Sequence, residues 1–277
     1  MLYLVSTPIG NLEDITLRAL RILKEVDIIA CEDTRNTKKL LNYYNIENKK
    51  LISYHEHNEE KSSIQIIEYL KENKTIALVT DAGMPCISDP GYILIKKCIS
   101  ENIKVNTVPG ANAGLTALVS SGIESYNYTF YGFLPRKNNE LRTKLNEILL
   151  QNTTAIIYES PHRIKNVVEK IVELDSDREI SVARELTKMY EQIETDTSQN
   201  ILFQFNEEKI KEKGEFVLII SPNKNITREN IDNNQLLEEV EELVQSGMKN
   251  SEAIKFVSRK YNINKREVYN LYHEKNL

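Results

Sequence analysis

The strongest constraint on this chain's fold is where its few glycines and prolines stand. There are nine Gly and seven Pro in 277 residues, and twelve of these sixteen lie in residues 1–135. There they cluster behind short apolar runs. Leu2–Val5 leads into Ser6-Thr7-Pro8-Ile9-Gly10, Thr75–Val79 into Thr80-Asp81-Ala82-Gly83-Met84-Pro85, and Val105–Val108 into Pro109-Gly110. Short β-branched runs closed by such turns read as buried parallel strands. Helical spacing follows in Ile15–Glu25, with Asp14 as a candidate N-cap, and in Glu59–Leu70, Gly91–Ile99 and Leu115–Val119. Alternating strands and helices imply an α/β sheet with right-handed crossovers, whose ligands bind beyond the carboxyl ends of the strands. The Pro/Gly turns stand at those ends.

A second block begins near Tyr126. Strands are expected at Tyr128–Phe133, Ala155–Tyr158, Glu179–Ala183 and Phe216–Ile220, with helices over about Lys137–Leu150 and Arg163–Leu174. The strand order is not readable. Ser221-Pro222-Asn223-Lys224-Asn225 reads as a linker. Residues 226–277 contain no Pro and one Gly, and show helical spacing in Leu236–Val244, Ser251–Tyr261 and Asn264–His273. The expected division is an α/β domain over 1–122, a second over 123–222, and a helix-turn-helix-like extension over 226–277.

Charge qualifies this reading. Thirty-six Lys and Arg stand against 41 Asp and Glu, a net −5, which gives no global reason to expect a nucleic-acid partner. Residues 249–277, however, carry +4, leaving −9 on residues 1–248. Three cysteines without CxxC spacing exclude a disulfide framework or a zinc ribbon. With no basic, apolar leader at Met1 and no long apolar run, neither a secretory signal nor a membrane span is expected, and the cytoplasm is the expected compartment. There is no GxGxxG and no P-loop. His55 and His57 lack an evident third ligand, so no metal site is expected.

Three turns are candidates for chemistry. Asp81–Gly91 packs two Pro, two Gly and two Asp into eleven residues after a buried strand. Such a loop fixes its backbone and lets a ligand approach closely, beyond what a plain connection requires. Ser6–Asn11, taken alone, reads first as a plain βα turn with Pro fixing φ, and Val108–Gly114 reads equally well as a close-packed turn or a ligand wall.

Taken in order, Val5–Leu12, Glu32-Asp33-Thr34-Arg35, Asp81–Gly91, Val108–Gly114, Gly132–Arg136, Glu159–Arg163 and Ala183–Lys188 resemble the small-subunit ribosomal RNA methyltransferases of the tetrapyrrole methylase superfamily. The resemblance runs from Leu2 to about Ile220, with the helical tail as an extra; Met84 and Cys86 depart from the usual pattern. It implies two α/β domains with S-adenosylmethionine in the cleft between them, and methyl transfer to a cytidine 2′-hydroxyl in the decoding region of small-subunit ribosomal RNA. It further implies a homodimer. By the same resemblance the cofactor is touched by Pro8, by Ala82, Gly83, Met84 and Ile87, by Asn112 and Ala113, and by Tyr158, Leu186 and Gly214.

A ribose hydroxyl needs help losing its proton. Glu32, Asp33, Glu159 and Glu185 are the candidate bases within the matched blocks, each also readable as half of an ion pair. Arg35, Arg136, Lys137, Arg163 and Arg184, with Lys38 and Lys188, stand near expected strand ends and are candidates for RNA phosphate contact. The basic tail reads either as an RNA-binding unit or as a packing appendage. The alternative within the same superfamily is methylation of a tetrapyrrole carbon, which would call for a deep, enclosed acceptor pocket and no basic tail.

Overall fold

In the computed structural model, residues 1–223, 233–245, 248–261 and 263–275 are described. The first half holds strands β1 (Leu2–Val5), β2 (Ile28–Cys31), β3 (Lys50–Ser53), β4 (Ile76–Val79) and β5 (Val105–Val108). Between and after them run helices α1 (Leu17–Glu25), α2 (Thr34–Tyr43), α3 (Glu59–Lys71), α4 (Tyr92–Ser100) and α5 (Ala113–Ser120). The strands form one all-parallel sheet in the order β3-β2-β4-β1-β5. Alternate residues of each strand feed two cores. Leu2, Leu4, Ile28, Ile76 and Leu78 pack against α3 and α4. Ile29, Cys31, Ala77 and Val79 pack against α1 and α2. Burial on both faces explains why these strands are continuous apolar runs.

Sequence reading missed β2, α2 and β3. No Gly or Pro punctuates them: α2 is started by Asp33, whose carboxylate accepts from Arg35 N at 2.7 Å. The helix N-cap expected at Asp14 is instead Thr16, which accepts from Ala19 N at 3.0 Å; Asp14 closes a short 3-10 turn.

The second half holds β6 (Tyr128–Phe133), β7 (Thr154–Glu159), β8 (Glu179–Arg184), β9 (Gln192–Thr197) and β10 (Phe216–Ile220), with α6 (Asn138–Leu149), α7 (Ile164–Leu174) and α8 (Ser198–Asn206). The sheet order is β6-β7-β10-β8-β9, and only β6 and β7 run parallel. One face (Ile157, Val182, Leu218, Ile220) is covered by α6, α7 and α8. The other (Ile156, Ala183, Val217, Ile219) packs against Ala117 and Leu118 of α5 and against Ile9. This last core joins the two sheets and forms the floor of the cleft between them. Helices α9 (Asn233–Gln245), α10 (Asn250–Lys260) and α11 (Lys265–Lys275) share a separate core of Leu236, Val240, Ile254, Val257 and Val268. The expected linker begins with Ser221–Asn223, where Asn223 N donates to Gln151 O at 2.8 Å; its remainder lies outside the described residues. Among the described residues no helix is long and apolar enough to cross a membrane.

Candidate active site

The turns after β1, β4 and β5 meet above the first sheet. Thr7 N donates to Gly83 O at 2.9 Å, and Gly83 N returns to Thr7 O at 3.1 Å. Thr7 Oγ1 also donates to Thr80 O at 3.1 Å. The first two turns are thereby one unit, and the Gly83 N–H is already used within the protein. Within the 81–91 loop, Gly83 (φ +82°), Cys86 (+72°), Ser88 (+63°) and Gly91 (+145°) all take left-handed backbone. Such concentrated strain persists only where its surroundings hold it, and it clusters at ligand sites. Glu59 supplies part of the hold: its Oε1 accepts from Gly91 N at 2.8 Å, from Ile93 N at 3.3 Å and from Tyr54 Oη at 2.9 Å. Asn112 caps α5, accepting from Leu115 N at 2.9 Å.

The opposing wall comes from the second sheet. Tyr158 Oη accepts from Gly114 N at 3.1 Å and so bridges the two halves. Leu186 lies between Glu185 (φ +52°) and Thr187 (φ +64°). Thr187 Oγ1 accepts from Asn11 N at 3.0 Å. Gly10 is required there for space, since a Cβ would stand 2.5 Å from Lys188 Cγ and 2.9 Å from Leu186 O.

Between these walls lies a cavity of about 380 Å³, a size usual for small-molecule sites. Ala82, Gly83, Met84 and Ile87 line it from the second turn, Asn112 and Ala113 from the third, and Tyr158, Leu186 and Gly214 from the second half. Nine of the ten expected cofactor residues therefore come together. Pro8 does not line it; its neighbour Ile9 does, and Pro8 faces an adjoining crevice with Asn36, Lys39 and Lys188. Ile9 borders both the cavity and that crevice. Gly214 has φ +95°, and a Cβ on it would collide with Glu185 Cδ at 2.5 Å, so packing as well as the cavity demands glycine.

The four candidate bases separate clearly. Asp33 caps α2 and pairs with Arg35 at 2.6 Å; the bonds from the Arg35 guanidinium and backbone hold its carboxyl down at about 2, too weak a base for a hydroxyl. Glu185 is bound by Lys188 Nζ at 2.8 Å and Glu215 N at 3.0 Å. Burial raises its pKa, but those bonds outweigh burial and leave it lowered. Neither carboxylate is built as a base. Glu159 lines the cavity, is 3% exposed, and accepts from Ser160 N at 2.7 Å. Its other oxygen lies 3.4 Å from Arg163 and has no hydrogen-bond partner. Glu32 accepts from Thr80 Oγ1 at 3.3 Å beside the second turn.

Sequence reasoning passed over Asp89, which lines the cavity. Burial pushes its carboxyl up to about 6 against an opposing hydrogen bond from Thr80, and the charges of Glu32 and Asp81 add to the rise. Perturbed carboxylates in clefts are candidates for proton transfer. The signal was present in the Ser-Asp-Pro-Gly run, but the groups that perturb Asp89 stand on other segments.

Two of the arginines read as RNA contacts are turned inward. Arg184 is 9% exposed and donates to Lys213 O at 2.6 Å and Tyr190 O at 3.4 Å. Arg163 donates to Leu134 O at 3.2 Å and Pro135 O at 2.7 Å and pairs with Glu159. Each guanidinium spends part of its donor set on backbone carbonyls, which turns it toward the protein. Arg35 and Lys137 are exposed but paired with Asp33 and Glu140. Arg136 is exposed and makes no ion pair among the described residues. Among the described residues no cluster could hold a metal ion.

A cleft between an all-parallel sheet and a mixed sheet, walled by backbone turns, defines an α/β protein with a small-molecule site between its two halves. The tetrapyrrole (corrin/porphyrin) methylase model matches residues 1–202. A Halalkalibacterium halodurans protein called ribosomal RNA small subunit methyltransferase I is 46% identical over 99% of this chain and 94% of its own length. A Bacillus subtilis protein of the same name is also 46% identical, with the same coverage. Among solved structures, a diphthine synthase (TM-score 0.60, 14% identical, 79% of this chain, 89% of its own) shares the fold. So does a uroporphyrin-III C-methyltransferase from Thermus thermophilus (TM-score 0.57, 14% identical, 79% and 93%). The chain belongs to the tetrapyrrole methylase family and, within it, to the family of the ribosomal RNA small subunit methyltransferase I proteins. As a methyltransferase of this family it draws its methyl from S-adenosylmethionine. The largely apolar cavity and its close backbone walls fit that cofactor.

Proposed function

We propose that this chain transfers the methyl of S-adenosylmethionine to the 2′-hydroxyl of a cytidine in the decoding region of small-subunit ribosomal RNA. The observation that carries the reading is a cavity lined from both halves, in which nine of the ten residues expected at the cofactor come together. The RNA substrate is supported by the relatives' names, with identity of 40–46% over 99% of this chain. The 2′-oxygen and the decoding region rest on the motif resemblance. Such an acceptor puts the reaction in the cytoplasm.

When bound, S-adenosylmethionine supplies an electrophilic methyl on a sulfonium; the O–C bond forms as the C–S bond breaks and its electron pair stays on sulfur. The protein's part is to align oxygen and methyl, which can contribute ~7–11 kcal/mol. It must also take the hydroxyl proton. Asp89 is our choice of base: it lines the cavity and, with a carboxyl near 6, is ionised at neutral pH yet more basic than an ordinary carboxylate. Glu32 tunes it by like charge. Ile9, Ala82, Gly83, Met84, Ile87, Asn112, Ala113, Tyr158, Leu186 and Gly214 hold the cofactor, and Arg136 meets phosphate at the mouth.

We read residues 1–122 and 123–222 as the two domains that share the site and 226–277 as an accessory unit. The homodimer is supported by apolar side chains left exposed on α5 and before β6, Val119 at 74% and Tyr126 at 89%. Titration calorimetry with S-adenosylmethionine tests the foundation. Saturable binding that is lost in Gly83→Val is expected; an absent signal at saturating cofactor contradicts the reading.

A further inference from the structure

Phe133 closes β6 at the cavity wall and is 60% exposed, an unusual position for a large apolar side chain. Its placement depends on a specific backbone device. Phe130 pairs with Ile156 of β7, and Phe133 pairs with Tyr158. Ile156 and Tyr158 are two residues apart and so share the cleft face. Phe130 and Phe133 are three apart and would lie on opposite faces of a regular strand. They share a face because the register shifts between Phe130 and Gly132, leaving Tyr131 as the extra residue of a bulge. Gly132 makes this turn with φ +63°. It lies against the 81–91 loop, where a Cβ would stand 3.2 Å from Ser88 Oγ.

The ring is then held from two sides. Tyr158 meets Phe133 edge-on at 6.0 Å and Phe130 at 5.0 Å. Behind it, the Arg163 guanidinium grips Leu134 O and Pro135 O and is itself held by Glu159. Arg136, the residue after this clamped pair, is exposed. An exposed aromatic ring re-aimed into a cleft, followed three residues on by an exposed arginine that makes no ion pair among the described residues, suits stacking recognition of an unpaired base with its phosphate.

The geometry points to Phe133 as the platform on which the acceptor cytosine stacks, with Arg163 as the positioning residue that fixes it. This inference rests on the proposed RNA substrate. Its occupant is the acceptor base, not the cofactor adenine, because the Phe133 ring at the cavity wall is 60% open to solvent and the exposed Arg136 follows it three residues on.

The test uses the full chain, with S-adenosylmethionine and small ribosomal subunits from cells lacking this gene. Phe133→Ala should raise the KM for subunits roughly tenfold or more, the range expected of one lost stacked base, with S-adenosylmethionine affinity within about twofold of the unaltered protein. Phe133→Tyr, which keeps the ring, should restore KM. An unchanged KM in Phe133→Ala overturns the platform while leaving the proposed function standing. Equal loss of cofactor affinity overturns it in favour of an adenine contact. An unaltered chain that binds S-adenosylmethionine but methylates no ribosomal RNA overturns both readings together.

Discussion

Asp89 keeps its proton in the folded chain up to about pH 6, whereas an unfolded aspartate loses it near 3.8. Between those values the folded state binds more protons, so Asp89 makes stability fall as pH rises through the window, and its penalty is complete by pH 7. Asp89→Asn should therefore raise the melting temperature at pH 7, by a stability on the order of 3 kcal/mol, and change it little near pH 3.5. The same substitution should lower kcat by roughly 10²–10⁴, as expected for loss of a base. In the unaltered protein kcat/KM should rise through about pH 6 and level off above it. Removing a neighbouring negative charge with Glu32→Gln should move that acid limb to lower pH. Melts and pH–rate profiles check both; a limb that ignores Glu32→Gln contradicts the assignment. Arg184→Ala should behave differently. It orphans Lys213 O and Tyr190 O, so stability should drop by about 1–3 kcal/mol, and cofactor and RNA binding should weaken together. A selective loss of RNA affinity would contradict its inward role.

At the scale of elements, the bulge in β6 makes a sharp prediction. Gly132→Ala must hold φ +63° against the Ser88 hydroxyl, so either the bulge relaxes or the 81–91 loop shifts. Subunit KM should rise as it does in Phe133→Ala, with the melting temperature slightly lowered; an unaffected KM would show that the bulge does not aim the ring. The same elements show how far sequence reaches. β1, β4 and β5 were legible because Pro and Gly mark their ends, and those ends carry the site. β2, β3 and α2 carry no such marks, and β9 is a polar edge strand (Gln192–Thr197) without the apolar run that betrays a buried one. The order of the second sheet depends on pairings between residues as distant as Phe216 and Glu159, which no local pattern encodes. Nine of the ten positions that the family resemblance implies for the cofactor line one cavity. That Arg163 and Arg184 turn donors onto backbone carbonyls is not legible, because a sequence records a charge and not the direction of its donors. Asp89 was passed over because its perturbation comes from Glu32 and Asp81, brought near only by folding.

Across the whole molecule, the net charge of −5 hides a tail of +4. α9–α11 have their own core, and nothing in that core is shared with the cavity. A Hydrogenobaculum relative, 44% identical, matches 83% of this chain with 99% of its own length, leaving about a sixth of this chain without a counterpart there. A chain ending at Asn223 should therefore keep S-adenosylmethionine affinity; loss of that affinity would show that the tail supports the cleft. Sedimentation should find two copies per particle, and a monomer would remove the dimer from the account. The most direct test of the central claim is incubation of small subunits from cells lacking this gene with the protein and S-adenosylmethionine, followed by ribose-methylation mapping. The account predicts one new 2′-O-methylcytidine, in the decoding region. Methyl found on a base, at another ribose, or nowhere in the RNA would contradict it.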